Sequence, residues 1–154
     1  MNNLSERGKE TAYREVLTVI QGLFETETDR IAYMANVAAV LMEAFGHHWV
    51  GFYRVIGDQL VLGPFQGPLA CMRIGYGKGV CGSAWADNRT LIVRDVDKCP
   101  GHIACSSLSR SEIVVPVRSD DGQVMAVLDI DSTHLDAFSE TDKHYLEKIC
   151  ALFK

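Results

Sequence analysis

At Gly46 the spacing of apolar residues changes from three and four to two, and that switch confines the chain to a mixed architecture of helices and antiparallel strands. Before it, Ile31, Met34, Ala35, Ala38, Leu41, Met42 and Phe45 recur along one helical face and Gly46 offers a stop, so the spacing predicts a helix over 29–45. An earlier face of Val16, Val19, Ile20, Leu23 and Phe24 predicts another over about 9–24, with Gly22 weakening its end. After Gly46 come short β-rich runs over 48–56, 59–65, 69–75, 90–94, 112–118 and 123–131. Gly57-Asp58 separates the first two, and Ser119-Asp120-Asp121-Gly122 separates the last two. Asp-Gly supplies the positive backbone angles of a tight hairpin, so both pairs are expected to be antiparallel. Ser139 with Asp142 resembles a capping box, and Tyr145, Leu146, Ile149, Leu152 and Phe153 give a closing helix. The expected fold class is α+β, with about six mostly antiparallel strands, helices on one sheet face and loops using the other.

A chain of 154 residues that is 47% hydrophobic is expected to form a single domain over 1–154 around one core. Its net charge of −5 and scattered basic residues argue against a nucleic acid or an anionic membrane as partner, leaving a small molecule or a protein. No apolar run approaches the roughly 18 residues of a membrane span, and Met1 to Arg7 lack a signal-peptide pattern. The expected location is therefore the cytoplasm. Structural disulfides are rare there, so five cysteines point to free thiols, transient redox disulfides or metal ligation.

Strand periodicity makes the carboxylates informative. Val124, Ala126, Leu128 and Ile130 form one apolar face, which leaves Met125, Val127, Asp129 and Asp131 on the other. Two aspartates roughly 7 Å apart on one face disfavour joint ionisation when desolvated, so one retains a proton or both face a cation. The plainer alternative is that they end a strand in water, and that Glu112 is an exposed residue at a strand start. Trp49 and Tyr53 share a strand face, with Gly51 between them allowing a small ligand's apolar group to approach the backbone; ordinary core packing is the alternative.

Three cysteines sit in short segments suited to presenting a thiol: Leu69-Ala70-Cys71-Met72, Gly79-Val80-Cys81-Gly82 and Gly101-His102-Ile103-Ala104-Cys105. A nucleophilic thiol needs a nearby positive charge or donor, and His102, three residues before Cys105, is a candidate whose spacing alone does not establish contact. Cys99, His102 and Cys105 have a spacing that also suggests zinc, with Cys81 or Cys71 as a fourth ligand, but the paired Cys-x-x-Cys of a structural site is missing and no metal is expected. Gly75-Tyr76-Gly77-Lys78-Gly79 lacks the spacing of a phosphate loop and reads as a flexible turn leading to Cys81. Cys150 reads as packing in the last helix.

Taken in order, Trp49-Val50-Gly51-Phe52-Tyr53, Leu62-Gly63-Pro64-Phe65-Gln66-Gly67, Gly79-Val80-Cys81-Gly82, Gly101-His102-Ile103-Ala104-Cys105, Ser111-Glu112-Ile113-Val114-Val115-Pro116 and Leu128-Asp129-Ile130-Asp131-Ser132 resemble the free methionine-(R)-sulfoxide reductases, a catalytic branch of the GAF-domain fold. The resemblance implies reduction of the free amino acid, with Cys105 as attacking thiol, Cys71 as resolving thiol and Cys81 in an auxiliary role. It implies an acidic substrate site of Glu112, Asp129 and Asp131, walled by Trp49 and Tyr53; sulfoxide chemistry then calls for a neutral carboxylic acid, Glu112 or Asp131, as proton donor, and the substrate carboxylate for backbone N–H groups of glycine-containing turns. It further implies a sulfenic acid, a disulfide, thioredoxin as reductant, no cofactor, and a homodimer. One departure stands out: Ser106 occupies a position where the family usually has Asp. A non-enzymatic small-ligand sensor is the principal alternative, because fold alone does not fix function, and a zinc-binding interaction protein is the third.

Overall fold

The structure, a computed structural model, describes residues 4–101 and 108–153. The two leading helices are α1 (Glu6–Thr26) and α2 (Arg30–Phe45). Ser5 starts the first by accepting from the Gly8 N–H, and Asp29 starts the second by accepting from the Ile31 and Ala32 N–H groups. Gly46, at a φ of 62°, ends α2 in the left-handed conformation that glycine adopts without strain. The expected capping box opens the closing helix (Glu140–Cys150), where the Ser139 N–H donates to Asp142.

Between these helices run six strands, β1 (Trp49–Ile56), β2 (Gln59–Gln66), β3 (Arg73–Gly75), β4 (Leu91–Val93), β5 (Ser111–Arg118) and β6 (Val124–Ser132). They form one antiparallel sheet in the order β3-β2-β1-β6-β5-β4, with β1–β2 and β5–β6 as the two expected hairpins. One face carries Val50, Phe52, Ile113, Val115, Val117, Ala126, Leu128 and Ile130 into a core completed by the two leading helices and the closing one. Asp142 locks α1 onto the closing helix: its carboxylate accepts from the Tyr13 hydroxyl at 2.6 Å and pairs with the Lys9 ammonium at 2.7 Å.

The structure differs from the sequence expectation in three places. The turn expected before Cys81 leads at once into a helix, α3 (Gly79–Asp87), which with the loops covers the second sheet face; the closing helix is thus α4. Its close seating depends on Gly82, where a methyl would lie 2.4 Å from the Gly75 carbonyl oxygen. The run over 69–75 pairs as a strand only at Arg73–Gly75. At the start of β6 a shift in register between Val117 and Arg118 breaks the alternation, so Val124 packs on the α3 side and Met125 on the opposite side. From Ala126 to Asp131 the predicted alternation holds.

Candidate active site

Pairing register assembles the site. Across β1, β6 and β5, Trp49 stands opposite Asp131 and Asp131 opposite Glu112; one step along the same face, Gly51 stands opposite Asp129 and Asp129 opposite Val114. Residues two apart on a strand share a face, so Trp49, Tyr53, Asp129, Asp131 and Glu112 all project toward α3. They line a cavity with an empty volume of about 530 Å³, including its open mouth. Glu112 and Asp129 are buried, as are Trp49 and Tyr53, and Asp131, half-buried, lines the same cavity. For Glu112 and Asp129 the alternative of carboxylates meeting bulk water is thereby set aside.

The aromatic wall also holds the loop that carries Cys71. The Trp49 indole N–H donates to the Pro68 carbonyl at 3.1 Å and the Tyr53 hydroxyl donates to the Cys71 carbonyl at 2.8 Å. Their rings stack at a centroid distance of 5.9 Å, and Phe65 stacks on the indole at 5.2 Å. The open backbone at Gly51 was expected to admit a ligand. The Trp49 ring itself fills that space, since a methyl on Gly51 would lie 2.5 Å from its Cη2. Gly51 therefore shapes the pocket through the indole.

The first turn of α3 supplies the opposite wall with Lys78, Gly79, Val80 and Cys81. Cys81 is a free, buried thiol hydrogen-bonded to Asp129, and Glu112 shares a hydrogen bond with Asp129. Burial, reinforced by the carboxyls of Asp129, Glu112 and Asp131, pushes the Cys81 thiol well above its usual range, so it is a protonated donor at neutral pH. Burial and then Asp131 push Glu112 up to about 8, against the lowering effect of its bond with Asp129. Asp131 is raised well above the usual carboxylate range, first by burial and then by Asp129. The Tyr53 hydroxyl is also raised, by burial first and next by Asp129. The pocket thus holds carboxyl protons near neutral pH beside a stacked aromatic wall.

Cys71 is partly buried and disulfide-bonded, whereas Cys81, Cys99 and Cys150 are free thiols. Its flanks Leu69 and Met72 are 91% and 74% exposed, so this segment is open to an incoming molecule. Cys105, His102 and Ser106 lie outside the described residues, and with them two members of the zinc spacing read with Cys99. Among the described residues the group with metal-ligand geometry is Cys81, Glu112 and Asp129. Cys150 is packed in the helical core. Sequence reasoning missed Lys78, Ile74 and Ser109 as lining residues. The Gly-rich approach to Cys81 was the available signal for Lys78; nothing local marked Ile74 or Ser109.

A profile of the GAF domain matches residues 27–153. GAF domain-containing protein A of Dictyostelium discoideum is 53% identical over 97% of this chain and 94% of its own length. Free methionine-R-sulfoxide reductase of Escherichia coli is 43% identical over 90% and 84% respectively. Among solved structures, free methionine-R-sulfoxide reductase from Neisseria meningitidis, in complex with its substrate, superposes with a TM-score of 0.91 at 59% identity, covering 94% of this chain and 87% of that one.

Proposed function

The chain belongs to the GAF domain family, in its branch of free methionine-R-sulfoxide reductases, and we propose that it reduces free L-methionine (R)-sulfoxide through thiol chemistry shared between Cys105 and Cys71. The observation that carries this reading is the row Trp49, Asp131, Glu112 across three paired strands, which sets an apolar wall beside two acids in one cavity. The substrate's methyl group lies against the Trp49 indole and its ammonium group among the carboxyls.

A sulfoxide sulfur resists nucleophilic attack until its oxygen can take a proton. Glu112 is the donor in this scheme, because an acid that titrates at about 8 is protonated at neutral pH yet gives its proton up readily. The Cys105 thiolate attacks sulfur, the S–O bond of the substrate breaks, and the oxygen leaves with Cys105 as a sulfenic acid while methionine departs. The Cys71 thiol then attacks the sulfenic sulfur, expelling water and forming a disulfide. Thioredoxin, acting as an external dithiol, attacks that disulfide, is itself oxidised and returns both cysteines to thiols. Two electrons pass from dithiol to sulfoxide and no cofactor is needed. The disulfide-bonded state of Cys71, beside three free cysteines, supports its part in this cycle. Exposed Leu69 and Met72 offer the reductant an apolar approach to it. Cys81, a buried thiol bonded to Asp129, acts by orienting that carboxyl. The substrate carboxylate meets the backbone N–H groups at the start of α3, where Lys78, the N-cap, makes no side-chain cap bond.

No helix among the described residues is long and apolar enough to cross a membrane; a cytoplasmic enzyme recycled by thioredoxin is the setting we infer, with a homodimer as its assembly. The test is chiral analysis of the reaction with the free R and S sulfoxides and with a peptide-bound sulfoxide, joined to mass mapping of the resulting disulfide. Turnover confined to the free R form with a Cys71–Cys105 crosslink is expected. Tight binding of a metabolite without turnover would return the chain to the sensor class.

A further inference from the structure

Three side chains of different elements converge at the floor of the cavity: the Cys81 sulfur from α3, a Glu112 oxygen from β5 and an Asp129 oxygen from β6, all within 4.8 Å of one another. We infer that this trio binds a thiophilic divalent cation, Zn²⁺ being the natural candidate, and that the bound ion excludes the amino-acid substrate from the pocket. Each ligand residue is at most 6% exposed, so the ion would be enclosed by protein while the cavity supplies its route in. Tetrahedral zinc with bonds of about 2.0–2.3 Å sets neighbouring ligand atoms roughly 3.5 Å apart, which a small rotation of side chains already this close achieves.

A second observation points the same way. Asp131 lines the same cavity, and among the described residues its carboxyl makes no hydrogen bond or ion pair, so it is available as a fourth ligand or as acceptor from a metal-bound water. Lys78 is the one basic side chain among the described lining residues, against three carboxyls and a thiol. The donor set selects the metal: a thiolate with carboxylates suits Zn²⁺, Co²⁺ or Cd²⁺, whereas Mg²⁺ and Ca²⁺ take oxygen ligands. Coordination removes the thiol proton of Cys81 to solvent, and no redox change accompanies it.

The experiment titrates the whole chain, reduced with a phosphine, with Zn²⁺ by calorimetry and with Co²⁺ by absorption. One equivalent per chain with a thiolate-to-cobalt charge-transfer band is expected, together with competition by free methionine sulfoxide. Cys81→Ser should abolish the band and weaken Zn²⁺ at least about 100-fold, and Glu112→Gln should weaken it at least about tenfold while keeping the band. Cys99→Ser and Cys105→Ser should retain both band and affinity. Binding that survives Cys81→Ser and is lost on removing Cys99 or Cys105 overturns the assignment in favour of the loop spacing, and the absence of any Co²⁺–thiolate band in the parent chain overturns it outright. Should Cys81→Ser fail to fold, an unchanged Zn²⁺ affinity in Glu112→Gln serves equally to refute the site.

Discussion

Glu112 and Asp131 are directly opposed across the β5–β6 ladder, and both carboxyls face the same cavity. Burial first, and then a neighbouring carboxyl, Asp131 for Glu112 and Asp129 for Asp131, raises both well above the ordinary carboxylate range. In the proposed scheme these carboxyls supply the acid at neutral pH.

The rate of the chemical step should therefore lose its acid and fall about tenfold per pH unit above about pH 8, because Glu112 titrates at about 8. In Glu112→Gln the step should be slower by roughly 10²–10⁴-fold and should lose that alkaline limb. Single-turnover rates from pH 6 to 10 provide the check. An unchanged limb in the variant would assign the proton to another group, with Asp131 the next to test.

The proposed division of labour between the thiols predicts different failures. Cys105→Ser should abolish even the first turnover, whereas Cys71→Ser should release one equivalent of methionine per chain and then stall, with steady-state recycling by thioredoxin reduced at least about tenfold. Rapid-quench measurement of methionine, with and without thioredoxin, separates the two. Equal loss of the first turnover in both variants would contradict the scheme.

Gly51→Ala tests whether the indole shapes the pocket. The new methyl would lie 2.5 Å from Trp49 Cη2 and 2.4 Å from Phe65 Cβ, so the ring must move and take the Pro68 contact with it. Stability should fall by about 1–3 kcal/mol, as for an overpacked core, and kcat/KM by at least about tenfold. A shifted tryptophan emission spectrum should accompany both. Normal turnover with unshifted emission would show that the wall tolerates the methyl.

How far this site can be read without coordinates follows from period and distance. Alternation in β6 was enough to put Asp129 and Asp131 on one face, because two-residue periodicity is a local property of strands. The hairpins and the Ser139–Asp142 box were legible for the same reason: each is closed by residues a few positions apart. Helix α3 was not, since its short stretch contains Gly79 and Gly82, lacks a side-chain N-cap and is held by tertiary contacts with β3 and β5. The occupant of the Gly51 space escaped too, because the rotamer of Trp49 is decided by Phe65 and the Pro68 carbonyl, which come from another strand and a loop. Ile74 and Ser109 join the cavity only when distant segments meet.

Away from the cavity, Asp142→Asn should be costly. The change keeps a partner for the Tyr13 hydroxyl but removes the nearer counter-charge of the Lys9 ammonium, Asp142 at 2.7 Å, and leaves this side chain, only 14% exposed, with the more distant Glu6 at 3.7 Å. Breaking a buried pair in this way costs about 3–5 kcal/mol, and the partial exposure of Lys9 places the expectation near the lower end. Urea unfolding measures it. Because the α1–α4 seam lies on the opposite sheet face from the cavity, kcat/KM of the folded fraction should stay within about threefold of the parent; a larger drop would show that the seam is coupled to the site.

Two buried groups set opposing slopes in the stability profile. Glu112 holds its proton up to about pH 8 when folded, against 4.5 for an ordinary glutamate, so the folded state carries the extra proton between those values and stability declines as pH rises from 4.5 to 8. His47 runs the other way. Burial lowers it from 6.5 to about 4, with opposing influences from Asp142 and Lys9, so the unfolded chain binds the extra proton in that window and stability declines as pH falls from 6.5 to 4. The two windows overlap from pH 4.5 to 6.5, where the slopes offset each other, so thermal midpoints taken from pH 4 to 9 should be broadly level there and decline on either side. Glu112→Gln should flatten the alkaline side and gain on the parent by a few kcal/mol at pH 9, while His47→Gln should flatten the acid side. Loss of both slopes in a single variant would mean that the two groups titrate as one network across the sheet, contrary to their placement on opposite faces.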